Sequence, residues 1–500
     1  MLDFLSATYI AAVLSAYVLI GCIRRLYFHP LSTVPGPVWA ALTRHYATYY
    51  EVVKDGGLVD QLQRLHAIHG PVVRIGPNAL HFSNPDVYSE IYTRGFSFLK
   101  DPALYRAFGQ QDSSFGSTDP VFAKARRDII SPLFSRRAIL KLEPFVQQKI
   151  DKLIGKLLGH EHSSDPIDMF RAFKSVTLDI ILTYCFGESC DALDAPDFAH
   201  PVIIDLESTS RLLSVFKVFQ WVIPAQAFVT KLLKPLGHRV PGRAVLREQL
   251  LARIDKTLAD PTSLESASHE TVYHLLMQAH PDKGFAEVPS RASLLDEATN
   301  LQAAGSHTVA ATCIVGFYHI LNNKDVYHRL FAELKEAIPD VHDSIRFEDV
   351  EKLPYLTAVI KEALRLSHGV VLPMLRIVNT DGVVLDGIVV PRGTTVAIGS
   401  TFVHLNSEVF PDPHSFNPDR WLQEGSDQLE HYLVSFSRGQ RNCLGMNLAW
   451  CELYALFASI YRRLNMELYG SSPKDMEFRA HFIPVFKGNH VRAFVKPMKS

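Results

Sequence analysis

The chain has 500 residues, 47% of them hydrophobic, enough to bury a large core as one big domain or several smaller ones. Its 51 basic and 52 acidic side chains leave a formal net charge of -1, so no global field draws a polyanion and nucleic acid is excluded as an expected partner. Six cysteines, Cys22, Cys185, Cys190, Cys313, Cys443 and Cys451, are too few and too irregularly spaced for a disulfide scaffold or zinc ribbon and suit a reducing compartment.

Residues 4–21 are apolar apart from small and hydroxyl side chains, and as a helix, with their flanks, they nearly cross a hydrocarbon core about 30 Å thick. Asp3 precedes this stretch while Arg24 and Arg25 follow it, which puts the body of the protein in the cytosol. A cleaved signal peptide would carry its basic residues at the other end. Residues 1–23 are therefore expected to be a single transmembrane helix, 24–37 a linker ending in the stiff Pro35-Gly36-Pro37 hinge, and 38–500 one catalytic domain without repeats or flexible linkers.

Within that domain, short alternating pieces at 72–75, 79–82, 387–390 and 394–398 predict strands. Helical spacing of apolar residues covers 58–69, 120–134, 143–158, 169–186, 325–338, 354–366 and 446–460. The fold class is mainly α with small β-sheets. The longest helical pattern, 293–321, opens on a Ser293 cap with Asp296 three positions on. Its middle, Ala303-Ala304-Gly305-Ser306-His307-Thr308, is a run of small and hydroxyl residues, which fits either a close helix crossing or a ligand packed against the helix.

The sharpest local signal is Phe436-Ser437-Arg438-Gly439-Gln440-Arg441-Asn442-Cys443-Leu444-Gly445 ahead of the apolar run 446–460. A cysteine just before a helix meets unpaired N–H groups and the positive end of the dipole, which favour a thiolate. Such a sulfur can serve as the proximal ligand of haem iron. Gly439 permits a tight turn, Arg441 can neutralise a propionate, Gly445 leaves room under a porphyrin and Phe436 can shield the sulfur. Cys185, Cys190, Cys313 and Cys451 read as buried structural residues.

This segment resembles the haem-binding signature of the cytochrome P450 family, and three further landmarks in the family's order extend the likeness over nearly the whole chain, which looks like the microsomal enzymes of fungal secondary metabolism. The resemblance implies the cytochrome P450 fold and a heme b cofactor (iron protoporphyrin IX) with Cys443 as thiolate axial ligand and metal ligand. Glu362 and Arg365 share a helix face and, by resemblance, join Arg420 in a structural triad. Ala304, Gly305 and Thr308 match the oxygen-activation segment: the first two would leave space over the iron, and Thr308 would hold a proton donor. His307 replaces the family's usual acid, and three readings stand: a substituted proton relay, a relaxed position, or chemistry needing less proton delivery. Arg127 and Arg376 would join Arg441 on the propionates, although Ala123 departs from the aromatic or histidine partner usual beside Arg127.

Substrate contacts are implied between residues 96 and 122, along 206–219, at 301–308, at Val370, Val371 and Leu372, and at Phe482 and Ile483, making an oily pocket with no acid or base as partner for a charged substrate. Residues 219–233, flanked by Lys217 and Lys231, read either as a membrane-interface segment or as a buried helix pair. Lys124, Arg126, Arg136, Arg137 and Arg438 would make a basic patch for an acidic electron donor.

The resemblance further implies residence in the endoplasmic reticulum membrane, single-pass with the catalytic domain facing the cytosol. Electrons come from NADPH through a separate NADPH-cytochrome P450 reductase, with cytochrome b5 as a second donor; the chain has no dinucleotide fingerprint of its own. The expected reaction inserts one oxygen atom from O2 into a small apolar terpenoid or polyketide. Two alternatives remain open, an oxygen-independent haem-thiolate isomerase or dehydratase and a non-catalytic membrane-tethered haem-binding protein; dependence of product on NADPH and O2 separates them from the monooxygenase.

Overall fold

A computed structural model describes residues 2–209, 211–222, 225, 242–488 and 490–498; for 2–7 and 206–209 only the backbone is described. The apolar start forms α1 (Leu2–Tyr27), two turns longer than the hydropathy alone suggests. Its Thr8–Tyr27 portion is apolar enough to cross a membrane and none of it is buried against the body. Its end is nevertheless docked: Arg74 Nη1 donates to the Arg25 carbonyl at 3.0 Å. The Pro35-Gly36-Pro37 hinge lies on the first strand, with Arg74 N donating to Pro35 O at 2.8 Å. A Cβ on Gly36 would stand 2.4 Å from Arg74 O, so glycine here is a packing requirement.

The helical core is built by α2 (Pro120–Ile130), α3 (Arg136–Leu158), α4 (Met169–Phe186), α5 (Gly242–Ala259), α6 (Arg291–Asn322), α7 (Pro354–Ser367) and α8 (Met446–Arg463). Helix α6 is capped by Ser290, not Ser293: the Ser290 hydroxyl accepts from Ser293 N at 3.2 Å, and the Ser293 hydroxyl instead donates to Asp112 O. Helix α3 begins seven residues before the expected start and runs through Pro144, because the Ser135 hydroxyl caps it at Ala138 N. Sixteen of the eighteen residues of α4 are buried, and this helix carries the largest packing surface against α6.

A second, smaller core lies under a five-stranded sheet ordered β1 (Val72–Gly76), β2 (Ala79–Phe82), β5 (Thr395–Ala397), β4 (Arg376–Val378), β3 (Phe98–Lys100), in which only β2 and β5 run parallel. A separate hairpin, β6 (Phe478–His481) and β7 (Ile483–Phe486), puts Phe482 at its tip.

Between the two cores, Glu362 and Arg365 of α7 are both fully buried. Glu362 accepts from Arg365 Nη2 at 2.7 Å, Arg420 Nε at 3.0 Å, Trp421 Nε1 at 2.9 Å and Asn417 N at 2.9 Å. Arg365 in turn donates to the carbonyls of His404, Pro413 and Ser415, tying α7 to the chain that leads to Cys443. Burial works against the Glu362 carboxylate, yet Arg365 and Arg420 hold its pKa below the ordinary value. Glu362→Gln leaves two buried guanidinium groups without their counter-charge and is expected to lower folding stability by about 3–5 kcal/mol. Urea melts read this directly, and an unchanged midpoint contradicts the assignment.

Candidate active site

A single chamber of about 560 Å³ lies where α4, α6 and α8 meet the sheet and the β6–β7 tip, within the range of cofactor and substrate pockets. On one side stands Cys443, in the loop leading into α8. The loop is closed by Cys443 N donating to Phe436 O at 2.7 Å. Gly439 has φ +68° and a Cβ there would stand 2.5 Å from Tyr92 O, so both backbone shape and space demand glycine. No protein atom lies within 4 Å of a Cβ on Gly445, which opens on the chamber. Phe436 also lines the chamber, its ring 5.9 Å from Trp450.

Cys443 has free surface, but that surface faces the chamber, and protein surrounds it on every side. Burial raises its thiol pKa more than Gly445 N–H and Arg127 lower it. In the protein alone, burial thus opposes the thiolate that the Gly445 N–H and Arg127 favour.

Beside Cys443 the chamber collects positive charge. Arg127 donates to Asn442 O at 2.8 Å and to Asn442 Oδ1 at 2.7 Å. Arg376 is buried, donates to Tyr105 Oη at 2.9 Å, and keeps a raised pKa because nearby phenols outweigh its burial. Arg441 reaches Pro120 O at 3.4 Å. Lys100, at the end of β3, was not foreseen. Its Nζ donates to Ser117 O at 3.0 Å and to Phe115 O, and burial together with Arg441 and Arg376 pushes its pKa down to about 6. None of these four cations forms an ion pair with a carboxylate among the described residues.

Across the chamber, Ala303, Ala304 and Thr308 of α6 present free surface. Thr308 Oγ1 donates to Ala304 O at 3.0 Å. Gly305 has a different first duty from the one expected: a Cβ there would stand 2.5 Å from Ile181 Cγ1, so the glycine lets α4 and α6 close on each other. Thr177 of α4 uses the same close approach to donate to Ser306 O at 2.6 Å. His307 borders the chamber, but its ring stands edge-on to Phe170 of α4, 5.7 Å between centroids, and Nδ1 has no partner. Burial and Lys174 hold its pKa well below 6.5, which favours the neutral imidazole.

Val370, Leu372, Phe482 and Ile483 line the chamber together with Phe108, Phe115, Leu213 and Phe216. Phe482 packs on Phe108 with centroids 4.8 Å apart. Val371 does not join them: it is fully buried in the second core, and its N–H donates to Phe482 O at 2.9 Å. Residues 226–233 of the membrane-interface segment, Lys231 included, lie outside the described residues. Lys217 pairs with buried Glu51 at 2.7 Å. Of the basic patch, Arg126 is buried, packed against the rings of Phe122 and Phe285 and donating to Ser293 Oγ at 3.0 Å.

A family model described as cytochrome P450 matches residues 36–487. The chain belongs to the cytochrome P450 family. It is 33% identical over 485 residues to the cytochrome P450 monooxygenase macH of Penicillium terrestre, covering 96% of this chain and 95% of that one. It is 34% identical over 480 residues to the tryptophan 6-hydroxylase fscE of Fusarium equiseti, covering 94% and 92%. The conidiogenone synthase PchP450 of Penicillium rubens is 33% identical over 487 residues, covering 96% of each chain. This chain is thus a haem-thiolate monooxygenase of the fungal secondary-metabolite kind.

The residues present fit the family's haem. A chamber-facing sulfur, an open face at Gly445 and four cations lacking carboxylate partners match an iron porphyrin with two anionic propionates. Lys100 carries a testable consequence. In haem-depleted protein its folded pKa near 6 lies below the ordinary lysine value of about 10.4, so native protein holds fewer protons and folding gains stability as pH rises between those values. Lys100→Met is expected to improve the stability of haem-depleted protein relative to wild type most at about pH 6 and least at about pH 10. Urea melts at the two pH values check the trend, and an equal effect at both contradicts it.

Proposed function

We propose that Cys443 is the axial ligand of heme b and that this enzyme inserts one oxygen atom from O2 into a small, largely apolar terpenoid or polyketide-type metabolite. NADPH-cytochrome P450 reductase supplies the electrons, with cytochrome b5 as a second donor. Residues 1–23 anchor the chain in the endoplasmic reticulum membrane, 24–37 form the docked hinge and 38–500 the cytosolic catalytic domain. One observation carries the reading: Cys443, the four cations and the Thr308 face of α6 border the same chamber.

Bound haem supplies the oxidising chemistry, which belongs to the cofactor. The chain's own residues do the rest. Cys443 donates its sulfur from a loop that Gly439 clamps against Tyr92. Lys100, Arg127, Arg376 and Arg441 hold the propionates by charge-assisted bonds. Thr308, on the opposite wall, has a hydroxyl that releases its bond to Ala304 O and holds a proton-donating water. Phe108, Phe115, Phe482 and Ile483 exclude bulk water and orient the substrate by shape. His307, neutral and turned toward Phe170, stands outside the proton route.

In reductase-containing membranes, wild-type protein is expected to give the red-shifted Soret band of a thiolate-ligated ferrous carbonyl complex, and Cys443→Ser to lose it. Retention of that band by the variant removes the ligand assignment. Thr308→Ala should keep the band while product formed per NADPH consumed drops by about tenfold or more. Unchanged coupling would take Thr308 out of proton delivery.

A further inference from the structure

One charged side chain in the chamber is used neither by the haem site nor by the fold. Arg243, in the first turn of α5, lines the chamber and is an exposed residue. Its main-chain N–H donates to Asp205 at 3.3 Å, but its guanidinium has no hydrogen bond or ion pair among the described residues. Protein crowds it enough that burial works against its charge, with Asp205 the one carboxylate acting in the other direction. Arginine does not escape such a position by losing its proton. A guanidinium with no partner of its own beside a mostly apolar chamber can take an acceptor from the molecule that enters.

The strongest cationic influences on Lys100 come from Arg441, Arg376 and Arg127, and those on Arg441 from Arg376 and Arg127, ahead of Arg243. Its neighbours are those of the chamber's other end. One turn further along α5, Arg247 acts electrostatically on Asp296 of α6. One turn beyond Asp296, Asn300 lines the chamber, its Nδ2 donating to Glu297 at 3.3 Å. The loop bearing Gln110 is fastened at the same place, because Asp112 N donates to Asp296 Oδ2 at 3.1 Å and Ser114 N to Glu297 Oε2 at 2.7 Å. Arg243, Asn300 and Gln110 all line the chamber, whose walls also carry Phe108, Phe115, Phe216, Leu213 and Phe482.

We infer that the substrate is an amphiphilic carboxylic acid: an apolar scaffold whose carboxylate pairs with Arg243, with Asn300 and Gln110 as neutral partners. This rests on the monooxygenase reading above and narrows its substrate class. It also sets the site of oxidation. Thr308 lies two turns beyond Asn300 on α6, about 12 Å along the axis. The oxidised carbon is accordingly remote from the acid group, at the far end of a long chain or of a two- or three-ring scaffold.

The test uses full-length, haem-loaded protein in membranes and substrate-difference spectra with palmitic acid and abietic acid, each against its methyl ester. At least one acid should bind about tenfold or more tighter than its ester. Arg243→Gln should abolish that preference and Arg243→Lys should keep part of it, with the ferrous carbonyl band unchanged in both. Equal binding of acid and ester, binding of neither acid, or a preference that survives in Arg243→Gln overturns the inference. A failure of the underlying haem reading shows separately, as the absence of a Soret band in the wild-type protein.

Discussion

Four cations converge on the space beside one sulfur, and no side-chain carboxylate among the described residues forms an ion pair with them. Lys100, Arg127, Arg376 and Arg441 come from β3, α2, β4 and the Cys443 loop, so the helical core and the sheet must both be in place before their charges meet. Mutual repulsion and burial oppose that arrangement, and the depressed Lys100 pKa records the opposition. A dianionic cofactor relieves it. A cofactor with two carboxylates, held by these four residues, would neutralise charge drawn from both cores and so stabilise their packing.

The same economy governs the other wall. Close approach of α4 to α6 needs Gly305, and once the helices touch, Thr177 reaches Ser306 O and His307 is pressed against Phe170. Beside them, Ala303, Ala304 and Thr308 keep free surface at the chamber, a hydroxyl next to small apolar groups. The buried Glu362, Arg365 and Arg420 cluster works at a distance: its bonds to the carbonyls of His404, Pro413 and Ser415 fix the chain leading into the Cys443 loop. These parts serve one purpose, holding a sulfur, a hydroxyl and an aromatic wall in register around a shared space.

Local signals were legible in the sequence and relative placement was not. The Cys443 loop could be read because turn, ligand and helix start lie within ten residues, and Glu362 with Arg365 because they share a helix face. Helix starts went astray where two signals competed: Pro144 resembles a first-turn proline although Ser135 had already capped the helix, and Ser293 resembles a cap although Ser290 fills that place. Lys100 was hidden because nothing in Phe98-Leu99-Lys100 distinguishes it from a surface lysine; the pairing of β3 with β4 is what sets it near Arg376. Val371 was misplaced since neighbours in an extended segment point to opposite sides. His307 differs from Thr308 by about 100° around the helix, enough to turn it onto α4. Arg243 gave no signal at all, as its meaning comes wholly from the chamber it enters.

The central claim is that the Cys443 sulfur binds iron within this chamber. X-ray absorption at the iron edge of purified, haem-loaded protein tests it without recourse to turnover. The account predicts one sulfur scatterer in the iron's first shell together with the four porphyrin nitrogens, and its loss in Cys443→Ser. A first shell of nitrogen and oxygen alone in the wild-type protein would contradict it.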